Sequence, residues 1–229
     1  MPPIPHIFQI AIDGPSGSGK STMAKRLAKA LGIGYLDTGA MYRALGYAAL
    51  QQHIVPGDPD AVEPMLLETD LDVAFDGDRQ MTLINGEDVS SFIRTPEVSM
   101  AASDISALPA VRLFCVERQR AFAEKHSVVL DGRDIGTYVL PNAKLKFFLT
   151  ADDTIRAKRR YLDLLEAGEK VDLEAVLHDL RRRDEQDSTR EMAPTKAAAD
   201  AVLIDTGSMT EEEVFAMLLY YCEQYGCGS

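Results

Sequence analysis

The chain has 229 residues, of which 46% are hydrophobic and 26% are charged, as expected for a globular protein with a substantial core. Its formal net charge of −12 argues against broad nonspecific binding to nucleic acids or membrane surfaces. The three cysteines form no C-x-x-C motif, which argues against a disulfide framework or a zinc site. The first six residues lack the basic segment of a signal peptide, and no apolar run approaches the roughly 18 residues of a membrane span. We therefore expect a cytoplasmic protein.

The first predicted elements are a buried strand over residues 7–12 and an amphipathic helix that ends near Leu31. The segment between them has the form G-x-x-x-x-G-K-[ST], the pattern of a phosphate-binding loop, in which main-chain N–H groups and a helix N-terminus face phosphate oxygens. We expect Lys20 to reach the β- and γ-phosphates of a nucleoside triphosphate, and Ser21 is a candidate ligand of Mg²⁺. The predicted ATP-binding residues here are Gly14, Pro15, Ser16, Gly17, Ser18, Gly19, Lys20, Ser21 and Thr22.

The middle of the chain predicts a short strand at residues 35–36 and a helix that Asp37 or Thr38 caps, with Arg43 in its first turns. Alternating apolar residues over 71–75 and 81–84 predict two strands with a turn at 76–78 between them. Asn85-Gly86 is a strong hairpin signal before a third short strand at 87–89. Residues 61–95 therefore read as a small antiparallel module inserted into an α/β chain, and helical patterns resume over 96–125 with a break near Pro109.

The second half predicts a buried strand that runs into the charged turn Asp131-Gly132-Arg133-Asp134, where ligand residues of open parallel sheets gather. Further strands are predicted at 145–149 and 201–205, and the last helix at 211–225. The order of elements predicts an α/β fold, a doubly wound five-stranded parallel sheet with a small antiparallel insertion and a helical lid. The predicted divisions are a core of residues 7–60, 96–151 and 195–225, the insertion of 61–95, and a basic helical lid of 152–194.

Seven arginines fall within residues 156–190 of this acidic protein. An arginine fork binds phosphate oxygens bidentately and stays charged, so we interpret these helices as a lid that closes over phosphates and excludes water. Arg43, Arg133 and Arg190 are candidates to surround an acceptor phosphate. Such an acceptor is already anionic at neutral pH and needs no general base, and we interpret the four histidines as structural or surface residues.

Five segments resemble bacterial cytidylate kinases, which are P-loop nucleoside monophosphate kinases. The resemblance covers about residues 7 to 225 and implies transfer of phosphate from ATP to CMP or dCMP. The segments are Gly14 to Thr22, Leu36 to Arg43, Ile93 to Val98 with Ala101-Ala102-Ser103, Asp131 to Thr137, and Arg183 to Asp187 with Arg190 and Ala193-Pro194.

The resemblance also implies roles for individual residues. Ser16, Thr38, Arg43, Arg133 and Arg190 would bind the acceptor phosphate, Ser103, Arg112 and Asp134 the cytosine, and Arg183 and Asp187 the sugar. Asp131 would lie between the two substrates, and Arg159 would bind ATP. Lys20, Arg133, Asp131 and Arg190 are the expected catalytic residues. Some relatives carry glycine at the position of Ser21, so Mg²⁺ would be held mainly by phosphates and water. Cytosine offers an N4 amine that a carboxylate accepts, and uracil reverses this pairing, so UMP should be disfavoured.

Two alternatives stay open from the sequence. One is a P-loop kinase of another small acceptor, such as UMP, AMP or a shikimate-like molecule. The other is a nucleotide switch without an acceptor. Two observations argue against it: the chain has no N-K-x-D-like segment, and a switch function would leave the arginine-rich lid unexplained. The expected partners are small-molecule substrates, with no nucleic acid or membrane, and we expect a monomer.

Overall fold

The computed structural model describes residues 7–77 and 79–227 of the chain. Residues 1–6, from which we infer that no signal peptide is present, lie outside the described residues. Asp78, part of the predicted turn at 76–78, lies outside them as well. The strands are β1 (Gln9–Asp13), β2 (Gly34–Asp37), β3 (Leu71–Asp76), β4 (Arg79–Ile84), β5 (Glu87–Asp88), β6 (Val128–Gly132), β7 (Leu145–Thr150) and β8 (Val202–Asp205). The helices are α1 (Lys20–Leu31), α2 (Thr38–Gln51), α3 (Pro59–Glu68), α4 (Pro96–Ile105), α5 (Pro109–Ala123), α6 (Asp153–Glu166), α7 (Leu173–Thr189) and α8 (Glu211–Gln224), with one π-helical turn at Ile135–Val139.

A five-stranded parallel sheet has the strand order β2-β6-β1-β7-β8, which confirms the predicted α/β class. In its register, Ile10 of β1 lies opposite Leu145 of β7, and Phe147 of β7 lies opposite Val202 of β8. Most residues of the central strands β6, β1 and β7 are apolar and buried, because a strand covered on both faces is mainly apolar on both.

The predicted insertion is a three-stranded antiparallel sheet of order β3-β4-β5, in which Leu71 pairs with Ile84 and Asp76 with Arg79. Asn85 and Gly86 have φ values of 51° and 83°, the left-handed backbone that a tight hairpin turn of this kind requires. The hairpin signal in the sequence is therefore confirmed. The guanidinium of Arg118 on α5 donates from Nε to the carbonyl of Leu71 at 3.1 Å and so ties the sheet to a helix.

Helix starts follow local chemistry. Asp37, Thr95, Asp152 and Asp172 each precede a helix and accept a main-chain N–H of its first turn, and proline opens α3, α4 and α5. A capping box, in which Thr210 and Glu213 bond reciprocally, starts α8. Each capping residue lies within four residues of the N–H group that it binds. Helix starts are therefore encoded locally in the sequence.

The chain forms two compact units, one of Gly34–Val128 with Ile7, and one of Phe8–Ile33 with the chain from Val129 onward. The first has its core around α2, α3, α4 and α5, where α2 approaches α4 so closely that a β-carbon at Gly46 would lie 2.8 Å from the nitrogen of Ala102. The second contains the phosphate loop and both basic helices. The units do not coincide with the predicted core, insertion and lid, and that functional division stays a prediction.

All three cysteines are buried and none of them forms a disulfide bond, and the part of the chain that the structure describes contains no group of three or more His, Cys, Asp or Glu side chains able to hold a metal ion. Within residues 7–77 and 79–227, no single helix has the length and hydropathy to cross a membrane. The helices α4 and α5 pass that test only when they are joined across their 101° bend, and their core faces are buried.

Candidate active site

The phosphate loop joins β1 to α1 and is shaped by glycines. Gly14 has a φ of +148°, and a β-carbon there would lie 2.0 Å from the carbonyl oxygen of Leu149 in β7, so only glycine fits. Gly17 is packed against α6, since its β-carbon would lie 2.7 Å from the carbonyl oxygen of Arg156. Gly19, with φ at +85°, immediately precedes α1 and leaves the first N–H groups of the helix directed out of its N-terminus. The loop therefore has the backbone of an anion-binding turn.

Lys20 is buried at the start of α1, and its Nζ donates to the carbonyl of Pro15 within the loop at 3.0 Å. Burial lowers the pKa of Lys20 well below its usual range, the positive charge of Arg133 lowers it further, and the carboxylate of Asp131 partly offsets both effects. The ammonium form is thus disfavoured because the site lacks sufficient negative charge, and a bound triphosphate would supply it.

Ser21 and Asp131 form an oxygen pair beside the loop. The hydroxyl of Ser21 donates to Oδ2 of Asp131 at 2.6 Å, and Asp131, in β6, is 3% exposed. The two residues are far apart in sequence, so no sequence pattern predicts their contact. A hydroxyl next to a carboxylate is the hard-oxygen donor set that Mg²⁺ takes in phosphate-loop sites, where it keeps several waters. The residues present therefore fit a magnesium ion.

Asp13 is a site residue that the sequence interpretation missed. It is the last residue of β1, is 3% exposed, and its two carboxylate oxygens accept the main-chain N–H groups of Ile135 and Gly136, each at 2.7 Å. Burial raises the pKa of Asp13 to about 7 in spite of these two hydrogen bonds and of Lys20 nearby, and the charge of Asp134 adds to the rise. The only available signal was an acidic residue at the end of an otherwise apolar strand.

The turn after β6 carries an ion-pair network. Arg133 donates from Nη2 to the hydroxyl of Ser16 at 3.0 Å and from Nε to Asp187 at 2.9 Å. Arg190 donates to the other oxygen of Asp187 at 3.3 Å and to Asp134 at 3.3 Å. Burial opposes ionisation of Asp187, but the surrounding guanidinium groups outweigh it and lower the pKa of this carboxyl below its usual value. Five residues that the sequence singled out thus meet at one place.

The two basic helices are linked by ion pairs of their own. Arg156 of α6 binds Asp184 of α7 at 2.6 Å, and Arg181 of α7 binds Asp153 of α6 at 2.6 Å. Arg156 also donates to the carbonyl of Ser16 at 3.0 Å, which attaches the start of α6 to the phosphate loop. The sequence interpretation treated the arginine cluster as phosphate ligands, and its carboxylate partners in the same helices were not foreseen.

Arg159 is linked to the phosphate loop through Thr206. Both of its terminal nitrogens donate to Thr206, to the hydroxyl at 3.0 Å and to the carbonyl at 2.7 Å. The Thr206 hydroxyl lies 3.2 Å from the carbonyl oxygen of Ser18 in the loop. Arg183, a further predicted residue of these helices, is on α7 close enough to lower the pKa values of Lys20 and Asp187.

The first compact unit holds the remaining predicted residues in two clusters. In one, Asp37 precedes α2, accepts the N–H of Ala40 at 2.9 Å and binds the Arg43 guanidinium at 2.8 Å. Arg94 approaches the same carboxylate oxygen at 3.6 Å, and Thr38, the first residue of α2, is buried. The contribution of Arg94 was missed, although it lies in one of the segments that carry the resemblance.

The other cluster contains Arg112 of α5. Among the described side chains that have almost no exposed surface, that of Arg112 is the largest. Its guanidinium lies over the ring of Tyr42, 5.6 Å from the ring centroid, and Nη1 is 3.5 Å from the carbonyl oxygen of Ser106. The hydroxyl of Ser106 donates to the carbonyl of Ser103 at 2.9 Å, and Ser103 is buried on α4. Ser103 and Arg112 therefore lie in one region of the unit, and their role in binding cytosine stays a prediction.

Comparison with known proteins adds independent evidence on the family to which the chain belongs. The family model described as cytidylate kinase matches residues 10–224. A cytidylate kinase of Caldicellulosiruptor bescii is 49% identical over 93% of this chain and 94% of its own length, and one of Geobacillus sp. is 50% identical over 90% and 92%. One of Pseudomonas paraeruginosa is 47% identical over 95% and 96%.

Among solved structures, the shikimate kinase of Bacteroides thetaiotaomicron matches with a TM-score of 0.48 at 15% identity, over 95% of this chain and 97% of that one, a likeness too low to bear on function. The family model and the curated relatives span nearly the whole chain, including the phosphate loop, the turn after β6 and the antiparallel insertion. On this evidence, the chain belongs to the cytidylate kinase family.

Proposed function

We propose that the protein transfers the γ-phosphate of ATP to CMP or dCMP and yields ADP with CDP or dCDP. The observation that carries the proposal is the network of Ser16, Arg133, Asp187, Arg190 and Asp134, because it joins a phosphate-loop residue to groups suited to a second nucleotide. Membership of the cytidylate kinase family favours this function over transfer to UMP, AMP or a shikimate-like acceptor.

The phosphate loop binds the donor. Its N–H groups and the N-terminus of α1 face the triphosphate, and Lys20 neutralises charge at the β- and γ-phosphates. The low pKa of Lys20 supports this role, since the lysine gains its missing counter-charge only when an anion binds. Arg159 is proposed to bind ATP from α6, and its contact with Thr206 keeps it near the loop.

Chemistry at the acceptor rests on position and charge. The attacking oxygen belongs to a phosphate and is anionic at neutral pH, so no side chain has to remove a proton. Arg133 and Arg190 bind the acceptor phosphate in place of part of their contacts with Asp187, and Arg43 and Thr38 are proposed as further ligands of the same phosphate. Guanidinium groups that keep their charge in a dry site lower the repulsion between the two reacting anions.

Selection of cytosine is assigned to Ser103, Arg112 and Asp134. A carboxylate accepts the N4 amine of cytosine, and arginine and serine donate to its N3 and O2. The burial of Arg112 and of Asp134 supports this assignment, because buried donors and acceptors discriminate strongly against a base that leaves them unpaired. Arg183 and Asp187 are proposed to bind the sugar.

Magnesium is proposed as the cofactor, held by Ser21 and Asp131 together with phosphate oxygens and water. When bound, it would neutralise charge on the β- and γ-phosphates. The chain's own contribution is to keep the Ser21 hydroxyl and the Asp131 carboxylate 2.6 Å apart at the start of α1.

A coupled assay of ADP release with CMP, dCMP, UMP, AMP and no acceptor tests the proposal. CMP or dCMP should give the highest kcat/KM, and turnover with CMP that does not exceed turnover with the other acceptors would refute it. Asp134→Ala should lose selectivity for CMP and keep its KM for ATP. Asp179→Ala, which removes an exposed aspartate on α7, is the matched control and should behave like the wild type.

We further propose that the protein acts as a monomer in the cytoplasm and needs only small-molecule substrates. The net charge of −12 supports the absence of a nucleic-acid partner. Sedimentation at enzyme concentrations used in the assay should give a mass near 25.1 kDa, and a dimer mass would contradict the monomer.

A further inference from the structure

Gln80 of the antiparallel insertion makes hydrogen bonds to the segment that carries Arg43. This residue lies on β4, the central strand of the small sheet, and is half-buried. Its Oε1 accepts the main-chain N–H of Asp37 at 2.7 Å, and its Nε2 lies 3.3 Å from the main-chain carbonyl oxygen of Asp37, to which it donates. A side-chain amide thus pairs with both polar main-chain groups of one residue, in the way a neighbouring strand would.

The residue that Gln80 holds is the one that orients the arginines of this unit. One carboxylate oxygen of Asp37 accepts the N–H of Ala40 and fixes the start of α2, and the other lies 2.8 Å from Arg43 and 3.6 Å from Arg94. Gly39 leaves room for this arrangement, because a β-carbon there would lie 3.0 Å from Nη1 of Arg43. The main chain of Asp37 has no freedom to turn while both of its polar groups are bound to Gln80.

We propose that Gln80 is a positioning residue for the phosphate of the acceptor nucleotide. It fixes Asp37, and Asp37 directs the guanidinium groups of Arg43 and Arg94. The insertion thereby raises affinity for CMP from a strand that does not itself supply a phosphate ligand. The inference rests on the proposed function, in which Arg43 binds the acceptor phosphate.

The test compares Gln80→Ala with the wild-type protein in steady-state kinetics. Two hydrogen bonds to one main-chain residue are lost, so KM for CMP should rise roughly three- to tenfold while KM for ATP stays unchanged. The matched control is Arg79→Ala on the same strand, which removes an exposed side chain that pairs with Asp88 and should leave both KM values unchanged. Gln80→Glu retains the acceptor for the Asp37 N–H and loses the donor, so it should also raise KM for CMP even if Gln80→Ala folds poorly.

A second measurement separates positioning of the phosphate from a general loss of structure. The inhibition constant of cytidine, which lacks the phosphate, should be the same for Gln80→Ala as for the wild type. Equal weakening of CMP and cytidine, an unchanged KM for CMP in both Gln80 variants, or an equal effect in Arg79→Ala would overturn the inference. A wild-type protein without CMP kinase activity would instead refute the proposed function, so the two failures are distinguishable.

Discussion

Replacing Asp13 with asparagine removes a buried carboxyl group that has a pKa of about 7 in the folded protein and 3.8 as its ordinary value. Between these two values the folded protein holds a proton that the unfolded chain releases. Stability therefore falls as the pH rises from about 4 to about 7 and changes little above that range. At about 1.4 kcal/mol for each pH unit, the whole effect is about 4 kcal/mol, a large share of the roughly 5–15 kcal/mol that stabilises a domain.

The measurement is urea unfolding of the wild type and of Asp13→Asn at pH values from about 4.5 to about 7.5. Asparagine cannot titrate, so the difference in the free energy of unfolding between the two proteins should shift in favour of the variant by roughly 1.4 kcal/mol per pH unit. At low pH the wild type should be the more stable, because both oxygens of the protonated carboxyl group can still accept the N–H groups at residues 135 and 136, whereas the NH2 group of asparagine can only donate. A difference that does not change with pH would refute the reasoning. Asp179→Asn, at an exposed site, should show no such trend.

Three further predictions concern the phosphate loop and the network. Gly14→Ala places a β-carbon 2.0 Å from a carbonyl of β7 and should cost several times the roughly 1 kcal/mol expected for Gly32→Ala, which meets open space, as urea unfolding would show; equal costs would contradict the close approach. Because burial lowers the pKa of Lys20, ATP binding near pH 8 should take up a proton, seen by calorimetry in buffers of different ionisation enthalpy; no uptake would mean that the lysine is already charged. Asp187→Asn removes the carboxylate that binds two arginines and should raise KM for CMP about tenfold or more, with KM for ATP nearly unchanged; an equal rise in both would place Asp187 outside the acceptor site.

The features that the sequence predicts well are those encoded by neighbouring residues. The phosphate loop lies between an apolar strand and an amphipathic helix, and each of these depends on residues within about eight positions. The hairpin at Asn85-Gly86 is local in the same sense, because two residues with positive φ are enough to specify it. Family membership also follows from short segments, so the amino-acid sequence is enough to infer it.

The contacts that organise the candidate site join residues that are distant in the chain. Arg133 reaches Ser16 across 117 positions, and Asp13 reaches Ile135 across 122. No periodicity links such pairs, since they meet only after parallel strands have set their order. The role of Asp13 was missed for this reason, as were the pairing of Ser21 with Asp131 and that of Gln80 with Asp37.

The sequence by itself determined the α/β class, the phosphate loop, the antiparallel insertion and the likeness to cytidylate kinases, because backbone conformation and hydrophobic pattern are properties of short segments. Tertiary structure alone decided which carboxylate faces which arginine and how far each side chain is buried. Burial matters here because it sets the cost of a charge, which is why Asp13, Lys20 and Asp187 have shifted pKa values that their neighbours in sequence do not reveal.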